Sequence, residues 1–135
     1  MVEIDINYTG ELHSTAKHVQ SGAVIETDAP VDNQGKGEAF SPTDIVSTAL
    51  ASCLLTIMGI KARDLGIDIA GTTAKVSKIM TSSPRRINEI KIAISISKSF
   101  DTKTQSLLEH AALKCPVANS LHPDLNQNIS FNWPL

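Results

Sequence analysis

Apolar and polar positions alternate at the start of the chain, where Ile4, Ile6 and Tyr8 are separated by Asp5 and Asn7. Alternation of this kind predicts a half-buried strand, and Thr9-Gly10 supplies a turn into a second, more polar strand. Ala23-Val24-Ile25 predicts a third short strand that ends at Asp28-Ala29-Pro30. Val31 to Phe40 is rich in glycine and charge and predicts a loop. The period then changes. Ser41 is placed to cap a helix, Pro42 suits its first position, and Asp44 brings a carboxylate to the helix N-terminus. Val46, Ala49, Leu50, Cys53, Ile57 and Ile60 follow at helical spacing, while Leu54, Leu55 and Met58 widen the apolar surface beyond one stripe. A helix of this kind is enclosed on several sides, at the centre of a domain or at a dimer interface. Arg63 and Gly66 mark its end.

Beyond that helix, Ile67 to Met80 predicts a strand with imperfect alternation, and Ser82-Ser83-Pro84-Arg85-Arg86 a polar turn. Ile90, Ile92, Ile94 and Ile96 alternate with Lys91, Ala93, Ser95 and Ser97, the clearest strand signal in the chain. Asp101 caps a second, shorter helix, on which Leu108, Ala111, Ala112 and Cys115 fall at i, i+3, i+4 and i+7. Pro116 interrupts it and can begin a short new helix through Ser120 or Leu121. Ile129, Phe131 and Trp133 predict a last strand. The order of elements implies an α+β fold, a single domain over 1–135, with an antiparallel sheet.

Composition narrows the functional classes. The chain has 135 residues, 41% hydrophobic and 19% charged, with a formal net charge of −2. Such a chain can bury a core without a disulfide or a metal. There is no basic stripe and no aromatic ladder, so nucleic acid is not an implied partner. The longest apolar run, from Asp44 to Lys61, is interrupted by Ser47, Thr48, Ser52 and Thr56. Spanning a bilayer takes about 20 apolar residues, so the run reads as a core helix and no membrane partner is expected. No export signal is evident at Met1-Val2-Glu3-Ile4-Asp5, which points to a reducing, cytoplasmic setting for the two cysteines. Four histidines and two cysteines occur without C-x-x-C or H-x-x-x-H spacing, so no metal is expected.

Cys53 and Cys115 both lie on apolar helix stripes that need partners. A free cysteine in such a position is often a small packing residue. If the two helices dock, the thiols can instead approach within the Cα separation of about 5.5 Å that a disulfide requires. That would permit a cycle of peroxide attack, sulfenic acid, disulfide and reduction by an external dithiol. Periodicity leaves both readings open.

Two motifs carry a resemblance that bears on the choice. Gly35-Lys36-Gly37-Glu38-Ala39-Phe40-Ser41-Pro42-Thr43-Asp44-Ile45, running into Ala49-Leu50-Ala51-Ser52-Cys53, resembles the loop and central helix of the OsmC/Ohr family. Leu113-Lys114-Cys115-Pro116-Val117-Ala118-Asn119-Ser120-Leu121 is similar to the segment that bears the family's second cysteine. The Pro84-Arg85-Arg86-Ile87 turn is also similar to OsmC-like members. The resemblance implies an OsmC-like fold, with antiparallel sheets around a long central helix, in an intertwined homodimer. It implies reduction of organic hydroperoxides, with Cys53 as the attacking thiol and Cys115 as the resolving one. It implies no bound cofactor, because the dithiol carries the electrons, and a lipoyl-type dithiol as reductant.

The chain also departs from the family pattern. The best-studied family peroxidases use an arginine from the N-terminal strands and a glutamate after the helix-opening proline. Here no arginine precedes Arg63, and Thr43 follows Pro42. Asp44 lies about 100° further round the helix. Lys17, His18, Lys36, Arg85 and Arg86 are the candidate replacement cations. Lys36 comes first because it lies in the motif loop, beside Glu38, and Lys36, Glu38, Thr43 and Asp44 are the candidate auxiliary residues. These departures motivate one rival reading, a small-ligand-binding member of the fold without peroxidase activity; a second, a Cys–His hydrolase or transferase, rests on His122, which follows the Pro116 break and could fold back near Cys115.

Overall fold

The computed structural model describes residues 1–135. The chain forms two compact units, Met1–Val46 and Ser47–Leu135. The first holds a three-stranded meander in the order β1 (Ile4–Gly10), β2 (His13–His18) and β3 (Val24–Asp28), antiparallel throughout. Its register sets Ile6 opposite Ala16 and Ala16 opposite Ile25. Because side chains alternate across a strand, Ile4, Ile6, Tyr8, Ala16 and Ile25 share one face. Within the chain this face is uncovered: Ile6 is 70% exposed and Tyr8 65%. The loop after β3 is more structured than its composition predicts, with one 3₁₀ turn at Val31–Asn33.

The helix α1 (Pro42–Asp64) begins where Ser41, Pro42 and Asp44 predict. The Ser41 amide donates to Asp44 Oδ2 at 2.9 Å, and the Asp44 amide donates to Ser41 Oγ at 3.1 Å, a reciprocal cap. In the second unit Leu50, Leu54, Met58 and Ala62 bury one stripe of α1 in the core. Cys53, Leu55 and Ile57 are only half-buried, and Ile60 is exposed. By length and composition α1 could cross a membrane, but its stripe of Leu50, Leu54, Met58 and Ala62 is already committed to this core.

The second sheet has the order β4–β5–β6, formed by β4 (Thr73–Thr81), β5 (Arg86–Ser95) and β6 (Asn126–Asn132). The central strand β5 buries Ile90, Ile92 and Ile94 almost completely, as its alternation predicts. β4 begins later than expected, because Gly66 and Gly71, both at positive φ, shape Ile67–Thr72 into a turning connection. One feature of the expected sheet is corrected: β4 and β5 are antiparallel, but β6 runs parallel to β5, with Ile92 opposite Ile129 and Ile94 opposite Phe131. The crossover through α2 (Thr102–Ala112) and α3 (Pro116–Ser120) is long enough to return the chain in the same direction.

The second helix also differs from its expected extent. Asp101 caps α2 by accepting the Thr104 amide at 2.9 Å, but the helix stops at Ala112 and does not carry Cys115. Proline disfavours the helical conformation in the residue before it. Cys115 accordingly adopts φ −69° and ψ 145° and becomes the N-cap of α3, with Pro116 in the first turn.

Candidate active site

Cys115 reaches the core through this capping role. Its residue is fully buried, and its Sγ accepts the Ala118 amide at 3.3 Å. The Gln127 side chain donates to the Ala118 carbonyl at 3.0 Å, which ties β6 to α3 and holds the capped turn in place. Cys53 packs on the same core from α1, half-buried, with its sulfur close enough to the Cys115 thiol to raise it. The two cysteines are free thiols. They are therefore neighbours despite the long stretch of chain between them.

The environment treats the two sulfurs differently. Burial pushes the Cys115 thiol above its ordinary value, the Ala118 amide pulls it back, and the adjoining Cys53 sulfur raises it again. Desolvation penalises a thiolate, so Cys115 is held as a thiol at neutral pH. Cys53 is the less buried of the two residues. A cysteine that is only partly buried, beside a buried protonated one, can be oxidised from outside and then joined to its neighbour.

The candidate auxiliary residues belong to other local arrangements in the first unit. Lys36 Nζ pairs with Glu11 Oε2 at 2.9 Å, and this contact holds the Lys36 ammonium above and the Glu11 carboxyl below their usual values. Glu38 is exposed, and its main-chain amide donates to Asp28 Oδ2 at 3.0 Å. Thr43 Oγ1 lies 3.2 Å from Ser41 Oγ, and Asp44 serves the α1 cap. Among the other cations considered, His18 Nδ1 accepts the Ser21 amide, and Arg86 Nη1 reaches the Ile87 carbonyl at 3.5 Å. His122 Nδ1 accepts the Asp124 amide at 3.0 Å on an exposed turn.

Two contacts, one in each unit, are not predicted by the sequence pattern. The Ala118 amide contact was foreshadowed by the Cys115-Pro116 dipeptide, since a residue before proline is extended and can cap the helix that follows. The other is His13, whose Nδ1 lies 2.6 Å from Asp28 Oδ1. Alternation along β2 gave no signal for it, because the pairing depends on the β2–β3 register.

The chain combines an α+β fold and a long helix with two neighbouring cysteines, one on that helix and one at a Cys-Pro cap. The family model described as OsmC-like protein matches residues 35–130, and the chain belongs to this family. Solved structures agree. A Psychrobacter arcticus protein described as an osmotic stress induced and detoxification response protein is 56% identical, with a TM-score of 0.94 over 98% of this chain and 96% of that one. An OsmC-like protein from Mycoplasma pneumoniae is 20% identical, with a TM-score of 0.79 over 100% of this chain and 98% of the other. The organic hydroperoxide resistance protein OhrB of Bacillus subtilis is 14% identical, with a TM-score of 0.66 and 98% of each chain covered. These last two likenesses concern the fold. A search of the curated proteins finds no match.

Proposed function

We propose that the chain is a thiol-dependent peroxidase that reduces organic hydroperoxides in defence against oxidative stress. The observation that carries this reading is the pairing of a partly buried Cys53 with a fully buried Cys115 thiol. The Cys53 thiolate attacks the distal oxygen of ROOH; the O–O bond breaks, ROH leaves with a proton, and Cys53 becomes a sulfenic acid. The Cys115 sulfur displaces hydroxide from that sulfenic acid as it loses its proton, giving a disulfide and water. An external dithiol, of lipoyl type by family analogy, returns both thiols in two exchange steps and is itself oxidised to a disulfide. The electrons come entirely from sulfur, and the cycle needs no bound cofactor. The detoxification role assigned to the Psychrobacter relative is consistent with this reading.

The enzyme is proposed to act as a homodimer in the cytoplasm. Support comes from the uncovered apolar face of the first sheet and from the half-buried Leu55 and Ile57 beside exposed Ile60 on α1. Apolar surfaces of this kind mark interaction sites.

Stopped-flow mixing of the reduced protein with cumene hydroperoxide, followed by mass spectrometry, tests the peroxidase reading. The expected product is an intrachain Cys53–Cys115 disulfide and one equivalent of cumyl alcohol. Two free thiols after prolonged exposure to a modest excess would overturn it. A second reading, a small-ligand-binding member of the family without peroxidase activity, draws on the Glu11 partner that occupies Lys36. It predicts that persistence of free thiols.

A further inference from the structure

The first unit contains a charge cluster that the dithiol chemistry does not use. Asp28, the last residue of β3, is only 4% exposed, although it carries a carboxylate. One carboxylate oxygen faces His13 Nδ1 from β2 at 2.6 Å, and the other accepts the Glu38 amide at 3.0 Å. Glu26, also on β3, lies 3.3 Å from His13 Nε2. Asp28 is therefore a bridge, with the imidazole on one side and the loop 29–40 on the other. The remaining charges that face the cluster come from that loop and the β1–β2 turn: Lys36, its partner Glu11, and Glu38.

We propose that His13 and Asp28 form a pH-gated latch that fastens the 29–40 loop to the N-terminal sheet, closed while both are charged and released when the imidazole loses its proton or the carboxylate gains one. The argument is one of buried charge. A carboxylate withdrawn from water is stable there only with a counter-charge and its hydrogen bonds. His13 is the adjoining cation. Lys36 is exposed and already paired with Glu11, so it is a screened substitute. Once the imidazole is neutral, Asp28 regains hydration by turning outward, and doing so releases the Glu38 amide. The loop's other ties to the sheet, Asp28 amide to Phe40 carbonyl, Ala29 amide to Leu12 carbonyl and Lys36 to Glu11, lie at or near the same residues. Within the loop the Asn33 and Gly35 amides both donate to the Pro30 carbonyl at 2.9 Å, and the Gly37 amide reaches the Ala29 carbonyl at 3.4 Å, so the segment keeps its own turns when its ties to the sheet are lost. Opening at Asp28 therefore frees a segment and not a single bond.

The direction with pH follows from both partners. The hydrogen bond to Asp28 raises His13 above its ordinary 6.5, against the opposing effect of burial. Its contribution is complete below 6.5 and is lost as pH climbs through the raised value. The hydrogen bond from His13 holds Asp28 below its ordinary 3.8, so its contribution is present above 3.8 and is lost as pH falls through the lowered value. The latch is closed between these limits and opens at both ends.

Amide hydrogen exchange by NMR on the full chain tests the proposal, with the His13 imidazole titrated in the same samples. After correction for intrinsic base catalysis, protection of the Glu38 amide is expected to fall by about tenfold for each unit by which His13 is raised. Its midpoint should coincide with the His13 titration, while the Ile92 amide of β5 stays flat. Glu38 protection that is unchanged across the His13 titration would overturn the proposal. His13→Gln, which keeps a donor but no charge, should lower Glu38 protection at pH 6 and remove the pH dependence. A pH step retained in that variant would assign the gating to another group and sink the latch. If the variant does not fold, the wild-type titration decides.

Discussion

The Cys115 sulfur accepts the Ala118 amide, so one atom both caps α3 and stands beside Cys53. This double role separates the two cysteines in what their removal should do. Cys53→Ser deletes the accessible nucleophile and should abolish peroxide consumption. Cys115→Ser keeps a capping oxygen and leaves Cys53 able to react once, so one equivalent of peroxide should be consumed in a burst without turnover. Peroxide consumption by ferrous–xylenol orange assay, with and without dithiol, distinguishes the two. Equal residual turnover in both variants would remove the assigned asymmetry.

The same burial sets a pH dependence. Cys115 must give up its proton when it attacks the sulfenic acid, and burial raises that thiol above 9.0. The rate of disulfide closure should therefore climb with pH through neutrality and still be rising at pH 9. Folding stability should move the other way. A group raised in the native state stabilises it fully below the unfolded value, and this contribution is lost as pH rises past 9.0 towards the raised native value. Rapid acid quench at several pH values measures the first effect, and urea melts between pH 7 and 10 measure the second. A closure rate that levels off at pH 7 would show that Cys115 is not desolvated in solution.

Periodicity located what local rules control. The Ile90–Ile96 alternation, the Ser41-Pro42-Asp44 helix start and the Asp101 cap all depend on neighbours in sequence, and each stands where expected. The direction of β6 was not legible, because a strand's own pattern is the same whether its neighbour runs parallel or antiparallel. The spacing of Cys115 from Leu108 and Ala112 predicts a place at the end of a helix. Proline's effect on the preceding residue overrode that spacing. The nearness of the two thiols follows from helix docking, which no single segment encodes. The resemblance to a family supplied that expectation, whereas spacing alone left it open.

The α1 cap offers a test of local stability. The Ser41 hydroxyl receives the Asp44 amide and is almost wholly buried. Ser41→Ala should destabilise the fold by about 1 kcal/mol, the usual value of such a cap. Ser41→Asp restores an acceptor but places a second carboxylate near Asp44, so its recovery should be incomplete. Urea unfolding followed by circular dichroism gives both values. An unchanged midpoint for Ser41→Ala would mean that the reciprocal cap contributes nothing to stability.

Ile6 tests the assembly. It lies on the face of the first sheet with Ala16 and Ile25 and is 70% exposed within the chain, whereas Asp5 on the same strand points to the opposite face. If a second copy covers the apolar face, Ile6→Lys removes one buried side chain per copy, each contributing roughly 1.5–3 kcal/mol, and buries a charge in its place. At about 1.4 kcal/mol per tenfold change, dissociation should strengthen by on the order of a hundredfold or more. Asp5→Lys makes a comparable change in chemistry on the other face and should leave the assembly intact. Sedimentation equilibrium measures both variants against the wild type. Wild-type protein sedimenting at the single-chain mass of 14.5 kDa would remove the dimer from the proposal and leave the exposed Ile4, Ile6 and Tyr8 without a partner. The thiol chemistry would not be affected by that result, since both cysteines belong to one chain.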